Sequence, residues 1–329
     1  MTTLITGAGM IGSLAAGRII RERTERPVLF DVAFSMPNLA ERLDPDTVEM
    51  VKGDTTDVGH LVDTMRRHDI DRVIHTASFL TRDVIARPYA GVRVNLMGTL
   101  SALEAARISG VDRFVFCSSL VVTMGRKSVD SAVLTPEDFS LNVVSEYPPS
   151  LYASMKLASE WLCHSYTNEY GVDAAAVRFG GVFGPWHGVP GGGPSKLLKS
   201  LIECAFTGQP YQIAAPDLDR QGMDYTYSPD GAQAIVRAAY AEHVPNRVYN
   251  ATMGQLHTIR DIIETIEKVS GRPLNVEVVE QDSMTKYGNP TSAMDLSHSV
   301  EEIGYKVEYP METAVADYLQ WLEHASTPR

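Results

Sequence analysis

Two side chains that together can move a proton, Tyr152 and Lys156, stand four residues apart in this chain of 329 residues. Residues with this spacing lie on one face of a helix. A free phenol, with a pKa of about 10, is a poor base at neutral pH, and lowering that pKa by about three units corresponds to about 4 kcal/mol. A positive charge about 4 Å away contributes on the order of 4 kcal/mol at an effective dielectric of about 20. We therefore expect Lys156 to make Tyr152 a proton acceptor; the alternative is an ordinary surface pair.

A glycine pattern, G-x-G-x-x-G, occupies residues 7–12, directly after the first predicted strand and before a predicted helix. In this pattern Gly7 permits a tight turn, Gly9 lets the backbone approach a pyrophosphate, and Gly12 allows close helix packing. The N–H groups at the start of the helix, at Met10 and Ile11, then face the anion. The pattern predicts a dinucleotide site, although three glycines also occur in ordinary strand-to-helix turns.

Asp31 ends the second predicted strand, 19 positions after Gly12. An acidic residue here accepts hydrogen bonds from the adenosine ribose hydroxyls and repels a 2′-phosphate. Because residues 32–34 supply no cation for such a phosphate, we expect NAD rather than NADP; an exposed, solubilising Asp31 is the alternative. Asp54 and Thr55, after the third predicted strand, would lie near the adenine.

Ser118 and Ser119 stand at the end of the fifth predicted strand, shortly before the Tyr152 helix. We expect Tyr152 to take a hydroxyl proton while a hydride leaves the same carbon for the nicotinamide, whose positive charge adds to that of Lys156. Ser119 would hydrogen-bond the reacting oxygen, and Ser118 is the rival for that role.

These residues depend on an α/β scaffold. Short runs rich in β-branched residues alternate with helical patterns through the first 180 residues, as in βαβ units with a parallel sheet. Strands are predicted at residues 2–6, 28–31, 48–51, 72–76, 113–117 and 174–179. We expect a Rossmann-type doubly wound sheet over residues 1–180, with some later segments returning to it. Residues 181–329 would form mainly a smaller α/β substrate-binding lobe, and ligands would gather at the carboxyl ends of the strands.

Composition narrows the function classes. The net charge of −12 disfavours nucleic acid as a partner, because such binding draws on clustered Lys and Arg. Three scattered cysteines lack metal-ligand spacing and favour a reducing compartment. We expect a cytoplasmic protein with a small-molecule substrate, no metal, no membrane span and no signal peptide.

The glycine pattern, Asp31, Ser119 and the Tyr152/Lys156 pair together resemble the extended short-chain dehydrogenase/reductase family, of the NAD-dependent epimerase/dehydratase type. Other segments agree: residues 95–99, 103–107, 113–116, 178–185, 224–227 and 293–305. The resemblance implies an NAD-binding Rossmann domain, a small C-terminal substrate domain and a homodimer formed through a helix bundle. It also implies that His75, Thr76 and Ala77 line the cofactor and that Asn95 lies near it.

The chain also departs from that family. Residues 120–125 lack the Asp-Glu pair of nucleotide-sugar dehydratases, which disfavours dehydration. Met223 and residues 286–289 stand where nucleotide-sugar members tend to place arginines. Arginine forks suit phosphate better than a lone lysine does, so two expected diphosphate anchors are missing, although Arg220 is a possible replacement for one.

The missing anchors favour a substrate without a nucleotide, such as a sugar, a sugar acid or a hydroxy amino acid. The leading hypothesis is an NAD-dependent dehydrogenase of a secondary alcohol. A sugar or nucleotide-sugar epimerase with retained NAD is the second, and a non-catalytic NAD-binding regulator is the third. Substrate contacts are predicted at Ser118, Trp186, His187, Arg220 and Tyr225, where Tyr225 and Tyr227 alternate between pocket and core.

Overall fold

The fold comes from a computed structural model, which describes residues 1–124, 133–139, 146, 148–188, 193–218, 222–280 and 292–326. Its strands are β1 (Thr3–Thr6), β2 (Val28–Asp31), β3 (Glu49–Lys52), β4 (Arg72–His75), β5 (Arg113–Ser119), β6 (Ala174–Phe179), β7 (Gly181–Phe183), β8 (Tyr211–Ala214), β9 (Met223–Tyr227), β10 (Val248–Ala251), β11 (Leu256–His257) and β12 (Val276–Val279). Its helices are α1 (Met10–Arg23), α2 (Met36–Ala40), α3 (Val58–Arg67), α4 (Thr81–Ala86), α5 (Pro88–Val92), α6 (Gly98–Ser109), α7 (Leu151–Tyr170), α8 (Gly193–Thr207), α9 (Ala215–Leu218), α10 (Ser228–Tyr240), α11 (Ile259–Ser270), α12 (Ser297–Ile303) and α13 (Met311–Ser326). Short 3-10 turns at Pro45–Thr47 and Leu120–Thr123 and a π-helical segment at Arg93–Met97 complete the elements.

The main sheet has seven parallel strands in the order β10-β6-β5-β4-β1-β2-β3. Its strands are apolar on both faces, since Leu4 packs in one core cluster and its neighbour Ile5 in another. Helices cover both faces, and such burial explains the continuous apolar runs in the sequence. The predicted α/β doubly wound fold is confirmed. The chain adds β2 and β3 on one side of β1 and then crosses to add β4, β5 and β6 on the other side. This change of direction leaves a crevice at the carboxyl ends of β1 and β4.

Strand ends differ from the predictions by one or two residues. The largest difference is at β5, which continues through Ser118 and Ser119 because both pair with β6. Helix α7 begins as its sequence indicates: the Ser150 hydroxyl accepts a hydrogen bond from the Ala153 N–H at 3.1 Å. It ends at Gly171, which has a left-handed φ of 73°.

The second lobe contains a three-stranded sheet, β11-β9-β7, and the pair β12-β8. Helices α8, α11 and α13 pack together around a separate apolar core that includes Phe183, Tyr227 and Tyr318. The intervening α10 and β10 belong to the main sheet, since β10 pairs with β6 and α10 packs against α1. Within the described ranges, no helix combines the length and apolar character that a membrane span requires.

Candidate active site

A cavity of about 1050 Å³ opens at the carboxyl ends of the main-sheet strands and extends into the second lobe. Most of the residues predicted to form the site line it. These are Gly7, Gly9, Met10, Ile11, Asp31, Asp54, Thr55, Thr76, Ala77, Ser118, Ser119, Tyr152, Lys156, Trp186 and Tyr225. The fold therefore brings the dinucleotide pattern and the Ser/Tyr/Lys set to one cavity.

The glycine turn between β1 and α1 is shaped by close backbone approach. Gly7 has a φ of +90°, and a Cβ there would lie 2.6 Å from the Thr76 Oγ1 atom. A Cβ on Gly12 would lie 1.9 Å from the Gly7 carbonyl oxygen, whereas a Cβ on Gly9 would meet no atom within 4 Å. Gly9 thus leaves open space where an anion would lie against the start of α1, so the turn fits a dinucleotide.

Asp31 both supports this turn and faces the cavity. Its Oδ2 atom accepts a hydrogen bond from the Ala8 N–H at 2.6 Å, and its Oδ1 atom accepts one from the Ala33 N–H at 3.1 Å. A carboxylate offers about four lone-pair positions. Asp31 therefore retains acceptor capacity for the hydroxyls of a ribose, and its negative charge disfavours a phosphate at the same place.

Ser119, Tyr152 and Lys156 are all buried beside the end of β5. The Lys156 Nζ atom donates a hydrogen bond to the Cys117 carbonyl oxygen at 2.6 Å. It also lies 4.7 Å from the centroid of the Phe116 ring and 5.6 Å from the centroid of the Tyr152 ring. The Ser119 hydroxyl oxygen accepts a long hydrogen bond, 3.4 Å, from the Val121 N–H. The hydroxyl, the phenol and the ammonium share one enclosed space.

The electrostatic expectation for Tyr152 needs correction. Burial, with a smaller contribution from Cys117, raises the pKa of the Tyr152 phenol above its ordinary value. Burial also lowers the pKa of Lys156 to about 8. The pKa of Tyr152 thus moves in the direction opposite to the expected one, because burial dominates it.

Four of the predicted site residues that the structure describes do not line the cavity. His75 is enclosed by Thr6, at 2.6 Å, and Thr99, at 3.2 Å, and burial followed by the charge of Lys156 lowers its pKa to about 3. The Asn95 side chain hydrogen-bonds the backbone N–H and carbonyl of Phe79, so it holds a cavity-lining loop instead of facing the cavity.

Gly12 is buried under the Gly7 carbonyl, which agrees with its predicted packing role. His187 packs on Trp321, with ring centroids 4.9 Å apart, and its Nε2 atom lies 2.6 Å from Glu41. The contacts with Trp321, on α13 of the second lobe, and with Glu41 hold the His187 ring outside the cavity. Arg220 and residues 286–289 lie outside the described residues.

Several cavity residues escaped the sequence interpretation. Lys199, Asp217 and His257 line the part formed by the second lobe. Lys199 donates to the Trp186 carbonyl at 3.3 Å and pairs with Glu203 at 2.9 Å. His257 reaches the cavity because β11 pairs antiparallel with β9. No spacing in the sequence marks these residues, since the packing of the second lobe brings them to the site.

Comparison with known proteins agrees with this geometry. A sequence model of the NAD dependent epimerase/dehydratase family matches residues 3–252. A UDP-glucose 4-epimerase of Mycolicibacterium smegmatis is 27% identical over 334 residues, which cover 99% of this chain and 100% of that protein. A probable UDP-glucuronate 4-epimerase of Rhizobium meliloti is 26% identical over 273 residues, which cover 76% of this chain and 74% of that protein.

Two solved structures have a similar fold. L-threonine dehydrogenase from Clostridium difficile has a TM-score of 0.82 at 25% identity and covers 99% of both chains. UDP-glucose 4-epimerase from Thermotoga maritima has a TM-score of 0.84 at 22% identity, over 99% of this chain and 100% of that one.

The chain belongs to the NAD dependent epimerase/dehydratase family. The expected extended short-chain dehydrogenase/reductase type, the NAD cofactor and the assignment as an NAD-dependent enzyme are thereby confirmed.

Proposed function

We propose that this enzyme transfers a hydride between NAD and a secondary alcohol of a small polar metabolite, with Ser119, Tyr152 and Lys156 as its catalytic residues. One observation carries the proposal: these three side chains are buried at the end of β5, in the same cavity as the glycine turn. A regulator that only binds NAD has no use for a hydroxyl, a phenol and an ammonium in one enclosed space, so we set that hypothesis aside.

The cofactor would lie along the carboxyl ends of the strands. Gly9, Met10 and Ile11 would hold its pyrophosphate, Asp31 its adenosine ribose, and Asp54 and Thr55 its adenine. Thr76 and Ala77 line the adjoining part of the cavity. When bound, NAD supplies the hydride acceptor and the positive charge that Tyr152 needs.

The chain's own residues would manage the proton. Ser119 would donate a hydrogen bond to the reacting oxygen, and Tyr152 would take the proton from that oxygen. Lys156, held by the Cys117 carbonyl at 2.6 Å, would stabilise the phenolate. A buried site strengthens each of these interactions because little water screens them.

The substrate would lie against the second lobe, where Trp186 and Tyr225 line the cavity. An apolar Met223 also lines it, at the position where an arginine would grip a diphosphate. This supports a sugar, a sugar acid or a hydroxy amino acid. A sugar or nucleotide-sugar 4-epimerase is the second candidate, favoured by relatives with that activity at 26% and 27% identity.

The experiment compares the two candidates on one preparation. Purified enzyme is incubated with NAD and, separately, L-threonine, free sugars, sugar acids and UDP-sugars. Net growth of NADH absorbance identifies a dehydrogenase, whereas an epimerised product with NAD retained through purification identifies an epimerase. Tyr152→Phe is expected to lower either activity at least about a thousandfold, within the range of general acid–base catalysis. Tyr166→Phe on the same helix is the control, and full activity in Tyr152→Phe would refute the proposal.

We also propose that the enzyme is a cytoplasmic homodimer. Large apolar side chains are exposed on neighbouring helices: Ile85 on α4, Tyr89 on α5 and Trp161 on α7 are 62%, 80% and 59% exposed. Such a patch is typical of an interface, and it supports dimerisation through a helix bundle.

The cytoplasmic location is supported separately: the three cysteines are buried thiols, as expected in a reducing compartment. Analytical ultracentrifugation checks the dimer, and a purely monomeric protein would contradict it.

A further inference from the structure

A buried pair of opposite charges lies directly behind the proposed catalytic residues. Glu160 on α7 and Arg178 on β6 are 2% and 3% exposed. The Arg178 guanidinium donates to both Glu160 carboxylate oxygens, at 2.9 Å and 2.7 Å. Neither residue lines the cavity. Burial of such a pair is costly, and apolar residues of similar volume are often equally stable, so stability alone is a weak reason for its presence.

The pair is tied to the end of β5. The Ser118 hydroxyl donates to the Glu160 Oε1 atom at 2.5 Å, and Ser118 is paired with Arg178 in the sheet register. Ser118 stands between Cys117, whose carbonyl accepts the Lys156 hydrogen bond, and Ser119. Two adjacent residues of β5 are thus each bound to α7, and this fixes the distance between the strand end and the helix.

Arg178 also contacts the segment 133–139. The Arg178 Nη1 atom donates to the Glu137 carbonyl oxygen at 2.8 Å, which anchors the segment 133–139. The Glu137 carboxylate accepts from the Asn250 N–H at 3.3 Å and lies 3.2 Å from His298. Arg178 therefore has partners on α7 and on a separate segment, a geometry that a guanidinium fork provides and a lysine does not.

Glu160 follows Lys156 by one helical turn. Burial lowers the pKa of Lys156 to about 8, and Cys117, followed by Glu160, acts against that change. The other titratable groups that face Lys156 are the Cys117 thiol on β5, His75 on β4 and Tyr152 on α7. Burial raises the pKa of Cys117 to about 12 and lowers that of His75 to about 3, so both are neutral at working pH. Glu160 is therefore a carboxylate that acts on Lys156, and Arg178 balances its charge.

We propose that Glu160 and Arg178 are positioning residues, which hold the Ser118–Ser119 strand end against α7, and that each balances the charge of the other behind Lys156. This inference rests on the proposed function for its kinetic test. If Glu160 is removed without Arg178, the positive charge of Arg178 loses the carboxylate that balances it on α7. If both are removed, the balance of charge returns.

The test compares Glu160→Gln, the double variant Glu160→Gln/Arg178→Gln, and Glu312→Gln, which breaks the exposed Lys268–Glu312 pair, as control. The alkaline limb of the kcat–pH profile, which reports loss of the Lys156 proton, is expected to move down by about one pH unit in Glu160→Gln. It should return in the double variant and stay unchanged in the control. The proposal would be overturned if a folded Glu160→Gln variant kept the alkaline limb at the parental pH. Equal shifts of that limb in the single and double variants would also overturn it.

A second readout needs no substrate. Isotope-labelled lysine NMR, with Lys156→Arg used to assign the signal, should show the same downward shift in Lys156 titration for Glu160→Gln. A shift without any detectable turnover would leave this inference standing while the proposed function fails, so the two outcomes are distinguishable.

In Glu160→Gln the buried charge of Arg178 has no carboxylate partner, and this can prevent the variant from folding. A variant without a cooperative thermal unfolding transition is then not used for the pH profile. Arg178→Lys then decides, because it keeps the charge but loses the fork to Glu160 and Glu137. We expect kcat to fall at least about tenfold in Arg178→Lys, with KM and the alkaline limb unchanged. Parental kcat in this variant would overturn the positioning role.

Discussion

Alanine at position 12 is expected to destabilise this fold, whereas alanine at position 9 is not. The Cβ of an alanine at Gly12 would lie 1.9 Å from the Gly7 carbonyl oxygen, and a backbone atom can move away only if the β1–α1 turn shifts. Overpacking of this kind costs about 1–3 kcal/mol. A helical alanine recovers up to about 1 kcal/mol. A 1.9 Å approach to a backbone atom places the cost at the upper end, about 3 kcal/mol, so we expect a net loss of about 2 kcal/mol, or a Tm lower by roughly 4 °C in a chain of this size.

Gly9→Ala is the matched control, because its Cβ would meet no protein atom within 4 Å. Gly9 has φ −76° and ψ −165°, which alanine adopts without strain. Its Tm without cofactor should lie within about 1 °C of the parent. Its affinity for NAD should fall at least about tenfold, which is about 1.4 kcal/mol, because the methyl group fills the space proposed for the pyrophosphate.

The assay is calorimetry with and without NAD on protein stripped of cofactor. Bound NAD raises the Tm of the parent, and this gain should shrink in Gly9→Ala. Isothermal titration gives the two affinities directly. Parental Tm in Gly12→Ala would refute the packing argument. Parental NAD affinity in Gly9→Ala would refute the placement of the pyrophosphate.

Two further predictions concern charge. Asp31→Asn keeps an acceptor for the Ala8 N–H but removes the negative charge. The preference for NAD over NADP, measured by titration with each dinucleotide, should therefore fall at least about tenfold. An unchanged ratio of the two affinities would contradict the role of Asp31. Burial raises the pKa of Asp224 to about 6, and a carboxyl with a raised folded-state pKa loses its contribution to stability as the pH rises through that value. Urea unfolding should therefore show that the free energy of unfolding of Asp224→Asn, relative to the parent, rises by about 1 kcal/mol between about pH 5 and pH 7. Parallel curves of this free energy against pH for the two proteins would rule out the titration of Asp224.

Local sequence rules were sufficient to predict part of the candidate site. The glycine turn, the strand positions and the Tyr152/Lys156 pair could be predicted from the sequence because each rests on a local rule. Glycine alone fits the Gly7 turn, β-branched runs form buried strands, and a four-residue spacing puts two side chains on one helix face. The carboxyl ends of parallel strands meet at one edge, so the shared cavity followed as well.

Tertiary packing decided what these rules do not reach. His75 and Asn95 stand beside the site in sequence, yet their side chains bind Thr6, Thr99 and Phe79 instead of facing the cavity. The direction of the Tyr152 pKa also depended on packing, because desolvation is set by the whole enclosure and not by one neighbour. Sequence thus determined the chemistry available to this protein, through short-range geometry. The folded chain alone determined which groups are enclosed together and how strongly their charges act, because burial and dielectric arise from contacts between distant segments.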